Sequence, residues 1–199
     1  MFVTCKKNSF GFTLIEMLVA LSLFTIVVTI SVGAFLSLIG ASRGVQGEQS
    51  VMTTLTFVLD SMTREIRTGT SYYCATGAFS TQESLGKTAQ SCAGGSTGLS
   101  FLEAGSSITG ASSRIAYFYD SSSSTRKTIM RKIGGSDPQS IVSDGITITS
   151  AQFFVTGTDR LEISNNTIQP TVTIILEARD ETGATTTLQT TVTQRELDI

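Results

Sequence analysis

The chain of 199 residues has no histidine, no tryptophan and only two prolines. It is also short of charge: Asp, Glu, Lys and Arg make up 15% of it, against about a quarter in an average domain. Without histidine there is no Ser-His-Asp or Cys-His catalytic set and no His-dependent metal site. A basic excess is missing too, since 14 Lys and Arg face 16 Asp and Glu for a net charge of −2. That balance argues against a nucleic-acid binder built on a basic surface. What the chain does have is apolar residues, 40% of the total, and a mean hydropathy of +0.20. The length allows one domain with an appendage.

The apolar residues are concentrated near the N-terminus. After Lys6 and Lys7 the only charge before Arg43 is Glu16, and Met17 to Ser42 carries none. About 20 apolar residues cross a bilayer as a helix, and this run is long enough. Lys6 and Lys7 would hold the N-terminus in the cytoplasm and send the remainder across. A removable signal peptide has an apolar core of only about 7–15 residues and a small-x-small cleavage site. Here the run is longer and ends in Leu38-Ile39-Gly40-Ala41-Ser42-Arg43, a poor site. A lipoprotein signal is excluded because Cys5 precedes the run. An uncleaved signal anchor accounts for the length but gives no reason for Glu16.

A carboxylate inside a membrane helix costs about 2.5–3.5 kcal/mol on insertion scales, and such residues tend to be functional. The setting of this one is Lys6-Lys7-Asn8-Ser9-Phe10-Gly11-Phe12-Thr13-Leu14-Ile15-Glu16, followed by an unbroken apolar helix. The string resembles the processing signal of the type IV pilin family, which includes the pseudopilins of type II secretion. The resemblance implies that a prepilin peptidase cuts between Gly11 and Phe12 and N-methylates Phe12. Gly11 suits the cut, because a residue without Cβ lets the backbone lie close to a protease. It implies further that Glu16 of an incoming subunit meets the Phe12 amine of its neighbour. Two charges that are costly alone in hydrocarbon neutralise each other when paired. The plain alternative is that Glu16 only snorkels to the headgroups. Implied partners are other pilins or pseudopilins, the prepilin peptidase, an inner-membrane assembly platform and the lipid bilayer. The place implied is the inner membrane, crossed once, with the C-terminal part exported. No cofactor, metal, catalytic residue or direct nucleic-acid contact is expected.

Arg43-Gly44-Val45-Gln46-Gly47 reads as a loose spot, after which helical spacing resumes. Met52, Leu55, Leu59, Met62 and Ile66 form one stripe, with Val51 and Val58 beside it and Asp60, Arg64 and Arg67 off it. Phe57 lies off the stripe and hints at a second covered face. Two heptads are short for a coiled coil, so packing on a sheet is expected. Gly69 is a stop signal of the left-handed C-cap kind. A helix from Phe12 to Arg67 would be about 80 Å long at 1.5 Å per residue. Major pilins commonly have a proline in mid-helix, whereas this chain has Gly33 there, which leans toward a minor subunit.

Beyond Gly69, candidate strands are Gly98–Leu102, Ile115–Tyr119, Thr128–Ile133, one or two pieces in Ile146–Val155, Thr171–Ala178 and Thr186–Val192. The Ser121–Ser124 run joins the second to the third, and Asp180-Glu181-Thr182-Gly183 joins the last two. Helix first and antiparallel strands after give an α+β class, a long helix packed on a pilin-like sheet domain. The strand order and the ending Leu188 to Arg195 resemble minor pilins and J-type minor pseudopilins. The expected parts are a leader 1–11, a membrane and assembly helix 12–42, its amphipathic continuation 43–69 and an exported domain 70–199. Cys74 and Cys92 are an even pair in a compartment that permits disulfides, and a bridge is expected over two free thiols. The loop it closes, Ala75–Ser91, is polar and offers little else to order it. Asp137, Asp144, Asp159 and Asp180 have no calcium-loop spacing and read as turn residues. Tyr72-Tyr73 and Phe153-Phe154 read as sheet or core aromatics. Gly94-Gly95 and Gly134-Gly135 lack the lysine and helix of a phosphate site. The reading is a minor pilin or minor pseudopilin that starts or caps a filament, not an enzyme. The alternatives are a major pilin and, from another class, a signal-anchored periplasmic enzyme or binding domain.

Overall fold

The structure is a computed structural model that describes residues 11–77, 79, 81–82, 85–86, 88–106, 111–124, 126–158 and 169–195. Lys6, Lys7, Cys5 and Asp159 lie outside the described residues. The chain divides into two compact units, residues 1–44 and 45–199. One helix, α1 (Leu14–Thr68, 55 residues), begins in the first and ends in the second. The loose spot expected at Arg43–Gly47 is helical instead. A glycine costs a helix about 1 kcal/mol, too little to break a ladder that is cooperative on both sides.

In the first unit the described residues 11–38 are exposed on every side, with Leu14, Leu18, Leu21, Phe24, Ile30 and Phe35 all more than half accessible. The helix is long and apolar enough there to cross a membrane. Four of its hydroxyls are satisfied within the helix. Ser22, Thr25, Thr29 and Ser31 each donate to a carbonyl one turn back, those of Val19, Ser22, Thr25 and Val27, at 2.8 Å. Such back-bonding pairs the protons of these four hydroxyls in an apolar surrounding.

In the second unit α1 packs Val51, Leu55, Val58, Leu59, Met62 and Ile66 into the core. Met52 is 53% exposed and Phe57 71% exposed, so the stripe is rotated toward Val51 and Val58 and there is no second covered face. The strands are β1 (Thr70–Ala75), β2 (Cys92–Ser96), β3 (Gly98–Leu102), β4 (Arg114–Asp120), β5 (Thr128–Ile133), β6 (Gln139–Ser140), β7 (Ile146–Thr156), β8 (Thr171–Asp180) and β9 (Thr185–Thr193). They form two antiparallel sheets, β1-β3-β4-β5-β6 and β2-β7-β8-β9. The inward residues of both, among them Phe101, Tyr117, Phe153, Ile174 and Leu176, meet the helix in one core. The α+β class therefore holds, with two sheets rather than one.

The first sheet is covered on its other face as well. Phe79 and Leu85, from the β1–β2 connection, pack on Ala116 and Phe118, and the Ser100 hydroxyl donates to the Leu85 carbonyl. This is why β4 is buried at both alternating positions, and it corrects the expectation that this connection has only a disulfide to order it. The second sheet leaves its outer face to Gln152, Phe154, Thr171, Thr173, Ile175 and Glu177, the alternates of its core residues.

Helix α1 ends where expected, for a different reason. Gly69 is not left-handed; a Cβ on it would lie 2.3 Å from the Phe101 ring, so the glycine is required by close packing. The chain turns instead at Ser71, with φ of 52°. The Tyr72 hydroxyl lies 2.7 Å from the carbonyl of Ile66 and 2.8 Å from that of Gly69, closing the helix end. The one or two pieces expected in Ile146–Val155 are the single strand β7, with a shift of register between Ile148 and Ser150.

Cys74 and Cys92 form a disulfide across a separation of 18 residues. It ties β1 of one sheet to β2 of the other. A loop of this size stabilises by about 3 kcal/mol in the chain-entropy model. Replacing both cysteines by serine is expected to lower the urea unfolding free energy of the detergent-solubilised chain by about that amount. An unchanged midpoint would show that Phe79 and Leu85 hold the connection alone.

Candidate assembly site

The site begins at Gly11, Phe12 and Thr13, which precede the helix. The Thr13 carbonyl accepts the first helical bond, from the Met17 N–H at 3.2 Å. The Thr13 hydroxyl oxygen accepts from the Glu16 N–H at 3.3 Å. Thr13 is thus the N-cap and Glu16 the third helical residue, the Thr-x-x-Glu spacing of a capping box. Sequence reasoning passed over Thr13, although that spacing was there to be read. The Glu16 carboxylate also sits in the first turn, where the helix dipole favours negative charge. Phe12 is 78% exposed and Gly11 meets no atom within 4 Å of where a Cβ would stand. The residues expected from the sequence to be cut and to pair therefore lie together at the exposed start of α1, with a long uncharged helix behind them.

Residues 6–39 match the family model of the prokaryotic N-terminal methylation motif. This is the signal of the type IV pilin family. The match includes Lys6, Lys7, Gly11, Phe12 and Glu16 and ends at Ile39, within the apolar half of α1. No curated protein and no solved structure matches the chain. The pilin signal supports a subunit of a type IV pilus or pseudopilus, a structural and non-enzymatic family that assembles with other pilins. Together with the apolar helix it fits membrane anchoring.

Behind the pilin signal, a polar lock that sequence reasoning missed sets how the second unit holds its part of α1. Glu65 receives a two-pronged contact from Arg131 of β5, Nη2 to Oε1 at 2.8 Å and Nε to Oε2 at 3.1 Å. The Tyr117 hydroxyl of β4 donates to the same Oε2 at 2.6 Å. Burial, and then the Glu65 carboxylate, raise the Tyr117 pKa well above the ordinary tyrosine value. The hydrogen bond to Glu65 raises that of Arg131. None of the three residues is near another in sequence, so no local pattern announces the lock.

Arg114 was missed for the same reason. It is 1% exposed, and only its Nη2 has a partner, the Ser71 carbonyl at 2.6 Å. Nε and Nη1 have none. Burial pushes its pKa down to about 10 against a smaller upward pull from Tyr73. Its one bond braces the strained Ser71 turn that follows the helix.

Proposed function

We propose that this protein is a minor pilin or minor pseudopilin, a subunit that initiates or caps a type IV pilus or a type II secretion pseudopilus. The observation that carries the reading is the methylation motif at residues 6–39, with Glu16 as the one charge between Lys7 and Arg43. In this reading Lys6 and Lys7 hold the N-terminus in the cytoplasm. A prepilin peptidase cuts between Gly11 and Phe12 and methylates the Phe12 amine. The capped start of α1 then presents that amine and the Glu16 carboxylate on one open chain end. Within the bilayer the Glu16 of an incoming subunit pairs with the Phe12 amine of its neighbour. A subunit out of register leaves both charges unpaired in hydrocarbon, which selects the correct register. An assembly platform in the inner membrane draws the apolar helices into the filament. The absence of a mid-helix proline, with an unbroken helix through Gly33, favours a low-copy subunit over a major pilin.

Mass spectrometry of the membrane-extracted protein tests the first step. It should find a chain that starts at Phe12 and carries one methyl group on its amine. A chain starting at Met1, or near Ser42, would sink the reading.

A further inference from the structure

Among the described residues, strand β9 is the last strand of its sheet and pairs only with β8. Its register with β8 is unbroken from Thr185 to Thr193. Natural edge strands are blunted by charge, proline, bulges or shortness, and Thr185-Thr186-Thr187-Leu188-Gln189-Thr190-Thr191-Val192-Thr193 has none of these. The ladder shows which backbone groups are unused. Asp180 N–H donates to the Ala184 carbonyl at one end, and Gln194 N–H to the Pro170 carbonyl at the other. Antiparallel pairs alternate between bonded and non-bonded positions. Thr186, Leu188, Thr190 and Val192 therefore bond to β8, while Thr185, Thr187, Gln189, Thr191 and Thr193 aim N–H and C=O away from the sheet. The next group in that outward series, the Arg195 N–H, is already taken by the Arg67 carbonyl of α1 at 2.8 Å. The edge thus has a fixed end.

Alongside it runs a cleft of about 570 Å³ between α1 and β9, lined by Asp60, Arg64, Arg67, Arg195 and residues 190–193. Asp60 faces Arg64 at 3.7 Å, with both side chains largely exposed. Arg67 and Arg195 have no ion pair among the described residues. Among the described residues three guanidinium groups stand against one carboxylate, a cationic groove in a chain of net charge −2.

We propose that β9 and this cleft take up an extended, carboxylate-bearing segment of a partner polypeptide by strand addition. A free phosphate or a nucleotide would use the arginines but leave the alternating donors and acceptors of the edge idle. A polypeptide backbone matches them at the strand repeat, and specificity then comes from alternate side chains. Side chains on the α1 side of an added strand arrive at Arg64 and Arg67, where carboxylates are favoured. The inference stands on the second unit alone and does not depend on how the N-terminal signal is used.

The test uses the full chain in non-ionic detergent with a capped peptide of about seven residues that alternates glutamate with threonine. A matched peptide carries lysine in place of glutamate. Fluorescence anisotropy should show the glutamate peptide binding about tenfold tighter, as expected for two or three exposed ion pairs. Amide hydrogen exchange should slow on binding at Thr185, Thr187, Gln189, Thr191 and Thr193. Gln189→Pro removes an outward N–H without touching the β8 ladder; it should weaken binding at least about tenfold with the unfolding midpoint unchanged. The Arg64→Glu, Arg67→Glu double variant should reverse the preference between the two peptides. Equal affinity of the two peptides, no slowing at those amides, or undiminished binding by the proline variant overturns the proposal. So does a short oligonucleotide or an anionic lipid that fills the arginine groove while the peptide leaves the edge unprotected.

Discussion

Glu16→Ala is expected to be cut and methylated normally and to enter filaments at least about tenfold less than the parent. The neighbour's Phe12 amine would meet no carboxylate on the incoming variant, and an unpaired charge at a membrane helix costs about 2.5–3.5 kcal/mol. At 1.4 kcal/mol per factor of ten, that is a loss of roughly a hundredfold in the assembly equilibrium if fully expressed. Screening by headgroups and water defects lowers the figure, hence the tenfold floor. Glu16→Gln separates charge from shape: it keeps size and a hydrogen-bonding group, and it should fail almost as badly. Thr13→Ala is the control for the cap, because it removes the oxygen that the Glu16 N–H uses. It should cost about 1 kcal/mol of local helix stability and leave assembly largely intact. Quantifying processed subunit in sheared filaments against the membrane fraction reads all three. Normal incorporation of Glu16→Ala would remove Glu16 from the mechanism.

Glu65→Ala should be the most destabilising polar substitution in the second unit. It strands the Arg131 guanidinium and the Tyr117 hydroxyl together, since both rely on one carboxylate. Breaking a buried pair costs about 3–5 kcal/mol. The side chains of Glu65 and Arg131 keep 29% and 28% of their exposure, which brings the expectation down to about 2–3 kcal/mol. Urea unfolding of Glu65→Ala, Arg131→Ala and the double variant should give a coupling above about 0.5 kcal/mol. Strict additivity would show that the lock is geometric only. The lock also sets an alkaline limb. Its environment raises the Tyr117 pKa, so above about pH 10 the unfolded chain loses the phenolic proton first. The folded state then holds more protons than the unfolded one, and stability falls as pH rises through that window. Tyr117→Phe should flatten this limb while costing about 1 kcal/mol at neutral pH.

The parts of the fold that were legible in the sequence are those with a local cause. Gly98–Leu102 and Thr128–Ile133 have apolar runs bounded by turn residues, and both strands keep those bounds. The helix end at Thr68 and the turn after Asp180 are marked by glycine. What stayed hidden depends on residues distant in sequence. Strand β2 contains Gly94-Gly95 and has no strand propensity of its own; it is placed by pairing with β7 and by Phe154, which occupies the space a Cβ on Gly95 would need. Strand β1 hides in Tyr72-Tyr73, whose two side chains serve opposite faces, Tyr72 in the main core and Tyr73 on the cluster around Phe79. The position of Met52 was misread because a stripe of spacing three and four fits two neighbouring faces of a helix, and only the sheets choose between them. At the N-terminus the reverse holds. The pilin signal is read from residues close in sequence, so the motif that includes Gly11, Phe12 and Glu16 was legible before any fold, while the Glu65 lock was not.

The unequal cover of the two sheets has a consequence for how this surface can diversify. Most side chains of the first sheet are committed on one face to the helix and on the other to Phe79 and Leu85. A change there disturbs packing before it alters any surface. The second sheet commits only alternate residues, and its outward positions on β8 and β9 include threonines on both strands beside Ile175, Glu177, Arg179 and Gln189, such as the Thr173–Thr191 pair whose oxygens lie 3.0 Å apart. Those hydroxyls bear little of the folding free energy, because exposed cross-strand pairs contribute only about 0.2–1 kcal/mol each. The subunit therefore carries a conserved-by-necessity half and a rewritable half on one scaffold. Exchanging those threonines would change the chemistry of that face with the core and the apolar helix left as they are.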